Sequence, residues 1–141
     1  MADTHPKFSV SVVTPDGPAY EGDAEMLVVP GAAGEIGVLA RHAPLVATLK
    51  AGSTRIHLGG TEILTFATGP GFFKVETDRA LALVDDAVDV NQIDDARAQA
   101  QLEAAQAELA RVEAGESGAD RWQLEQRIKH AENQLAVSGR G

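Results

Sequence analysis

Four histidines, a cluster of five aspartates and a glycine-rich run are the places where this 141-residue chain could do chemistry. Imidazoles can bind metal or move protons, and paired carboxylates can act as acid and base. His5, His42, His57 and His130 have neither the HExxH spacing nor a close pair, so no metal site is expected. The chain has no cysteine, which removes thiol nucleophiles, thiolate zinc sites and disulfides, and agrees with a reducing compartment. Gly31, Gly34 and Gly37 are not followed by Lys with Ser or Thr, and no GxGxxG occurs, so neither common phosphate-cradling loop is present. Asp85, Asp86, Asp89, Asp94 and Asp95 sit where the composition changes and read as a solvated charge run. No catalytic residue and no resident cofactor is assigned.

Broader features narrow the class. Twelve Lys plus Arg against 21 Asp plus Glu give a formal charge of −9, which would repel a nucleic-acid backbone. Apolar residues make up 44% of the chain but only six are aromatic, so Val, Ile, Leu and Ala must build the core. The first seven residues lack the basic start and apolar run of a secretory signal, and a mature cytosolic start is expected. No stretch approaches the length of apolar sequence that spans a bilayer, so membrane association is expected only through a partner.

Two elements of different period must position any site. All six prolines and ten of the 14 glycines precede Val90, whereas 11 alanines crowd into the residues from Asn91 onward. In the first part Phe8, Val10 and Val12 alternate with Lys7, Ser9 and Ser11 until a turn at residues 15–18. Further β-type runs lie at 24–29, 45–49, 54–58, 63–68, 72–76 and 80–84, and Gly59–Gly60 marks a tight hairpin. An antiparallel β sandwich over residues 1–90 follows. From Asn91 the period becomes helical: Ala98, Leu102, Ala105, Leu109 and Val112 form one stripe. Residues 114–119 break it, and Leu124, Ile128, Ala131 and Leu135 form a second. An antiparallel two-helix hairpin over 91–141 is expected, with Asn91 as its cap. Its seam is narrow and rich in alanine, so it must lean on the β domain or on a partner.

The most informative stretch runs from Val28 to Leu45. It is a glycine-rich loop exposing one acid, Glu35, and one imidazole, His42, before Pro44. This stretch, with Val13-Thr14-Pro15, Tyr20-Glu21-Gly22, and Gly69-Pro70-Gly71-Phe72 followed by Val75, closely resembles the epsilon subunit of F-type ATP synthases, counterpart of the mitochondrial delta subunit. The resemblance spans nearly the whole chain. Ile93, Asp94, Arg97 and Ala98 also fit that family's Ile/Leu-Asp-x-x-Arg-Ala nucleotide-binding pattern.

The resemblance implies a non-catalytic rotor subunit of the central stalk, peripheral on the cytoplasmic face of the bacterial inner membrane. Its implied partners are the gamma subunit, the ring of membrane c subunits and, when the helices extend, the catalytic alpha/beta head. Glu35 and His42 take the family positions that meet the polar loop of the c ring, and a seven-residue separation across a tight loop is expected to place both at one end of the sandwich. ATP is expected to bind weakly at Ile93, Asp94, Arg97 and Ala98, with Arg121 or Arg127 adding a charge when the hairpin folds back. Against that site stand the neighbouring aspartates and a plain Asp94–Arg97 surface pair. A small β-sandwich ligand-binding or adaptor module is the alternative function, signalled by aromatics clustered on one face. The available aromatics, Phe72 included, read mostly as core.

Overall fold

The computed structural model describes residues 6–139. Ten strands precede two helices: β1 (Phe8–Thr14), β2 (Gly17–Ala24), β3 (Met26–Gly31), β4 (Gly34–Leu39), β5 (Leu45–Leu49), β6 (Gly52–Gly59), β7 (Glu62–Thr68), β8 (Gly71–Glu76), β9 (Arg79–Val84), β10 (Ala87–Asp89), α1 (Asp95–Glu113) and α2 (Arg121–Ser138). The strands form one sheet in the order β10-β7-β6-β3-β5-β8-β9-β1-β2, with β4 branching from β3. The sheet curls on itself so that Phe8, Val10, Val12, Leu27, Val29, Ile56 and Phe73 meet in one interior. That interior is aliphatic, as the shortage of aromatics requires.

The pairings are antiparallel except one, because β1 runs parallel to β9, with Val10 opposite Ala80 and Leu83 opposite Val13. Strand β2 is also absent from the sequence reading. Its Pro, Gly and acidic residues show no alternation, yet it pairs along β1 as an edge, where such residues are tolerated. Within it Tyr20 lies across Gly22, where an added Cβ would fall 2.8 Å from the phenol oxygen, and donates to the Asp23 carbonyl at 2.9 Å. Burial, then the neighbouring Asp23 and Glu62 charges, push the Tyr20 phenol up, which keeps it a donor.

The 28–45 run is a hairpin rather than a loop: β3 and β4 pair from Met26–Leu39 to Gly31–Gly34. Close approach explains another motif, since a Cβ on Gly71 would fall 1.9 Å from the Leu83 carbonyl oxygen. Gly59 and Gly60, with φ of 137° and 58°, turn β6 into β7 as their pairing in sequence suggests.

Helix boundaries differ from expectation at the first end. Asn91 sits in a 3-10 turn, Val90–Gln92, capped by Asp89, and the cap of α1 is Asp94, whose Oδ1 accepts from the Arg97 amide at 3.0 Å. Asp94 wins because its short carboxylate reaches the amide three residues ahead while its own backbone stays extended. Gly115, at φ 78°, ends α1, and Asp120 caps α2 by accepting from the Trp122 and Gln123 amides. Of the nine stripe residues expected, Ala98 and Ala105 of α1 and Leu124 and Ala131 of α2 are buried, whereas Leu102, Leu109, Val112, Ile128 and Leu135 are only half-buried; Val137, outside the expected stripe, is buried as well. The hairpin leans on the sheet through α2, which lies against β6, β7 and the 3-10 turn.

Candidate functional site

Three surfaces carry side chains that the core does not need. The first is the outer face of β5, β8, β9 and β1. Phe72 stands opposite Leu83 on β9 and Thr48 on β5, and Leu83 stands opposite Val13 on β1, so these side chains make one row across four strands. Val46 lies two residues along β5 on the same face. Phe72 is 61% exposed, Val46 72% and Leu83 47%. The aromatics read mostly as core, but alternation sets Phe72 outside, since its neighbour Phe73 takes the inward side and is fully buried. Phe8, Phe66 and Phe73 fill the interior, so the aromatics do not gather on one face as a ligand-binding module would require. An apolar row on a wet sheet face is a surface that a protein partner would cover.

The second surface contains Glu35 and His42. The two do not share one end of the sandwich: β4 runs between them, and its rise of ~3.3 Å per residue separates the positions by more than about 13 Å. Glu35 lies beside the β3–β4 turn. Its carboxylate receives the Arg55 guanidinium of β6 in a forked contact, at 3.0 and 3.4 Å. A basic group of a partner would therefore join or displace Arg55. His42 follows β4 at the far end, partly exposed, with Nδ1 2.6 Å from the Ala43 carbonyl. Its loop is fixed by an unusual pair. Arg41 and Asp78 both adopt left-handed φ, 63° and 54°, and the Arg41 amide donates to Asp78 Oδ1 at 2.9 Å. Such backbone costs about 1 kcal/mol or more per residue, and the Asp78 turn is tied down besides by the Ser9 amide, which donates to the Asp78 carbonyl at 3.0 Å. Near this turn Lys74, 2.9 Å from Glu76, holds the Glu76 carboxyl below the usual range.

The third surface is the hairpin. Of the residues expected to meet a nucleotide, Ile93, Asp94, Arg97 and Ala98 fall together at the start of α1. Three of the four already have a structural use: Asp94 caps, Ala98 is buried in the seam, and Ile93 is half-buried where the 3-10 turn ends. The Asp94–Arg97 contact runs through the Arg97 backbone amide, which leaves the exposed guanidinium outside it. Arg121 belongs to the opposite end. It pairs with Glu113 and Glu125 at 3.0 and 3.1 Å, and 16 residues of α1 put its level ~24 Å from Arg97. Arg127 lines a groove between the hairpin and the sheet, of about 510 Å³, with Asp85, Glu108 and His130. The folded hairpin thus does not unite the expected cations.

The aspartate run is also more than solvated charge. Asp89 caps the 3-10 turn, Asp94 caps α1, Asp95 accepts from the Ser138 hydroxyl at the end of α2, and Asp85 faces His130. Spacing alone gave no sign of these partners, since two of the four lie more than 40 residues away. Among the described residues no group of three or more His, Asp and Glu could hold a metal ion, and no helix is long and apolar enough to cross a membrane. His5 lies outside the described residues.

Comparison with known proteins then decides the family. Residues 7–90 match the family model described as ATP synthase, Delta/Epsilon chain, beta-sandwich domain. The chain belongs to this family. It is 39% identical over 135 residues to the ATP synthase epsilon chain of Halalkalibacterium halodurans, covering 96% of this chain and 99% of that one. It is 38% identical over 132 residues to the epsilon chain of Bacillus pumilus, covering 93% and 96%. Family likeness therefore extends through the helical hairpin as well as the sandwich. In fold the chain also resembles part of the Euglena gracilis mitochondrial ATP synthase, OSCP/F1/c-ring, with a TM-score of 0.72 at 22% identity over 96% of this chain and 84% of that one.

Proposed function

We propose that the chain is a non-catalytic rotor subunit of the central stalk of an F-type ATP synthase. Its sandwich joins the gamma subunit to the ring of c subunits and helps couple proton flow to ATP synthesis. The observation that carries the reading is the apolar row Val13, Phe72 and Leu83 with Val46, on a face of the family's sandwich where solvent would otherwise favour polar side chains. That row is the docking face for gamma. Glu35 with Arg55 at one end of β4, and His42 at the other, are the polar contacts toward the c ring. The complex sits at the cytoplasmic face of the bacterial inner membrane, and the chain is held there through its partners. The helices regulate by leaving the sheet for the alpha/beta head, where they restrain ATP hydrolysis. In the family setting no side chain here performs the chemistry of ATP.

Binding to an assembled gamma-containing head tests the docking face. Phe72→Asp should weaken binding by about 30-fold or more, as loss of a central aromatic anchor does, while the fold stays intact. Unchanged binding by Phe72→Asp and Leu83→Asp would remove the face from the interface.

ATP is expected to bind the hairpin weakly. Asp94 occupies the Arg97 amide, Arg121 is committed to Glu113, and the acidic run repels a polyanion. Calorimetric titration of the full chain should give no saturable heat below millimolar ATP. Micromolar affinity that Arg97→Ala abolishes would overturn this.

A further inference from the structure

Among the described residues three strands have a neighbour on one side only, β2, β4 and β10, and two of them are protected. β10 is three residues long, and β2 carries Pro18 and slips register against β1 at Val12–Val13. Short edges, proline and bulges all discourage another strand from pairing. β4 has none of these. It pairs with β3 in unbroken register from Gly34 to Leu39 and contains neither proline nor lysine. Its one charge, Glu35, lies on the outer face of the sheet with Arg55.

Backbone direction shows what this edge offers. The Lys50 amide donates to the Pro30 carbonyl at 2.9 Å and the Ala32 amide to the Thr48 carbonyl at 3.0 Å, so Pro30 turns its backbone toward β5 and away from β4. Pro30 is the register partner of Glu35, which makes this a pair without mutual hydrogen bonds. Two residues on, Gly37 repeats the direction, so its N–H and C=O point out of the sheet edge, and the Leu39 N–H follows. Gly37 and Leu39 are both exposed. Outward donors and acceptors at every second residue are what an incoming strand pairs with.

We propose that an extended segment of the gamma subunit adds to β4 as a further strand, with a bulky apolar side chain opposite Gly37 and an aliphatic one opposite Leu39.

This rests on the rotor reading above, and the side chains beside the edge select the segment. A Cβ on Gly37 would fall 3.3 Å from Met26 Cε, so the methionine forms an apolar floor where Gly37 has no side chain. Met26 also joins Leu39, His57 and Ile63 in one row across β4, β3, β6 and β7, in which Leu39 is 50% and Ile63 46% exposed. A large apolar side chain opposite Gly37 covers that floor, as aromatics do across edge glycines. Near the β3–β4 turn Glu35 favours a basic residue. A second copy of the chain fits poorly. Antiparallel pairing of two β4 strands about Gly37 sets glycine against glycine and Glu35 against Leu39, and each copy carries a charge of −9. Gamma is the source because the edge begins beside the face assigned to it. Gly31 pairs with Gly34 on one side and Leu49 on the other, so Gly34 lies two strand spacings, ~10 Å, from the strand that carries Val46 and Thr48.

Amide exchange of the full chain, read residue by residue with and without an assembled gamma-containing head, tests the added strand. In the free chain Gly37 should exchange fast and Val38, whose backbone turns toward β3, slowly. Binding should slow Gly37 by about tenfold or more and leave Val38 unchanged. Gly37→Pro removes the outward N–H at a position where an edge tolerates proline, whereas Gly37→Ala keeps it. Gly37→Pro should bind the head about tenfold more weakly than Gly37→Ala, with thermal melts showing that both free chains keep the sandwich. If Gly37→Pro does not fold, exchange of the native chain decides alone. Binding that leaves Gly37 in fast exchange, or equal binding by the two folded variants, would overturn the added strand and leave the Phe72 face standing. Protection of Gly37 that rises with the concentration of the free chain would overturn it in favour of a second copy. Failure of the native chain to bind the head would remove the rotor reading and this strand with it.

Discussion

Phe73→Ala is expected to destabilise the sandwich by about 3–5 kcal/mol, whereas Phe72→Ala, one residue earlier, should change its stability by roughly 0.5 kcal/mol or less. Phe73 is fully buried among Val10, Val12 and Ile56 of the common interior. Across the ladder it faces Ala47 and Ala82, whose small side chains cannot close the space that the ring would leave. The residual cavity adds to the lost transfer free energy, and a domain of this size has little stability in reserve. The neighbouring ring already stands in water, so its removal takes away little native contact. Urea denaturation of the two variants checks the contrast. Equal losses would mean that the strand faces are assigned wrongly.

The boundary at residue 90 carries the second large effect. Removing residues 91–141 should leave a β domain that melts cooperatively, while the isolated 91–141 fragment should lose most of its helix. Every residue of the main apolar cluster lies between Phe8 and Val84, and β10 completes the sheet before the 3-10 turn begins. The hairpin, in contrast, buries chiefly alanines between its helices and borrows the sheet through α2. Short helices with so little buried area are marginal in water. Circular dichroism and thermal melts of the two fragments decide this, and an unfolded 1–90 fragment would contradict the division.

The sequence displayed those features whose signal is local. Alternation around Phe8, Val10 and Val12 marks β1, the Gly59–Gly60 turn marks β6–β7, and the two stripes of Ala and Leu mark α1 and α2. What it concealed depends on pairing in space. Strand β2 is defined by β1 rather than by its own residues, β4 hides within glycines that its turn and packing require, and the parallel β1–β9 contact joins residues about 70 positions apart. The exposure of Phe72 follows only once Phe73 is known to face inward. Of the site residues, Ile93, Asp94, Arg97 and Ala98 come together because they are neighbours on one helix start. Glu35 with His42, and Arg97 with Arg121, are kept apart by the elements between them, whose length and direction no motif states. Asp85 with His130 went unseen for the converse reason, being 45 residues apart and joined by the docking of α2.

The most direct test of the rotor assignment is to watch this chain turn. With the alpha/beta head fixed to a surface and a fluorescent bead on a cysteine introduced at the exposed Glu21 of β2, ATP hydrolysis should drive rotation of the bead together with gamma. The rotor assignment requires that chain and gamma rotate in the same sense and at the same rate, and that Phe72→Asp uncouples the bead. A bead that stays still while gamma turns would contradict it.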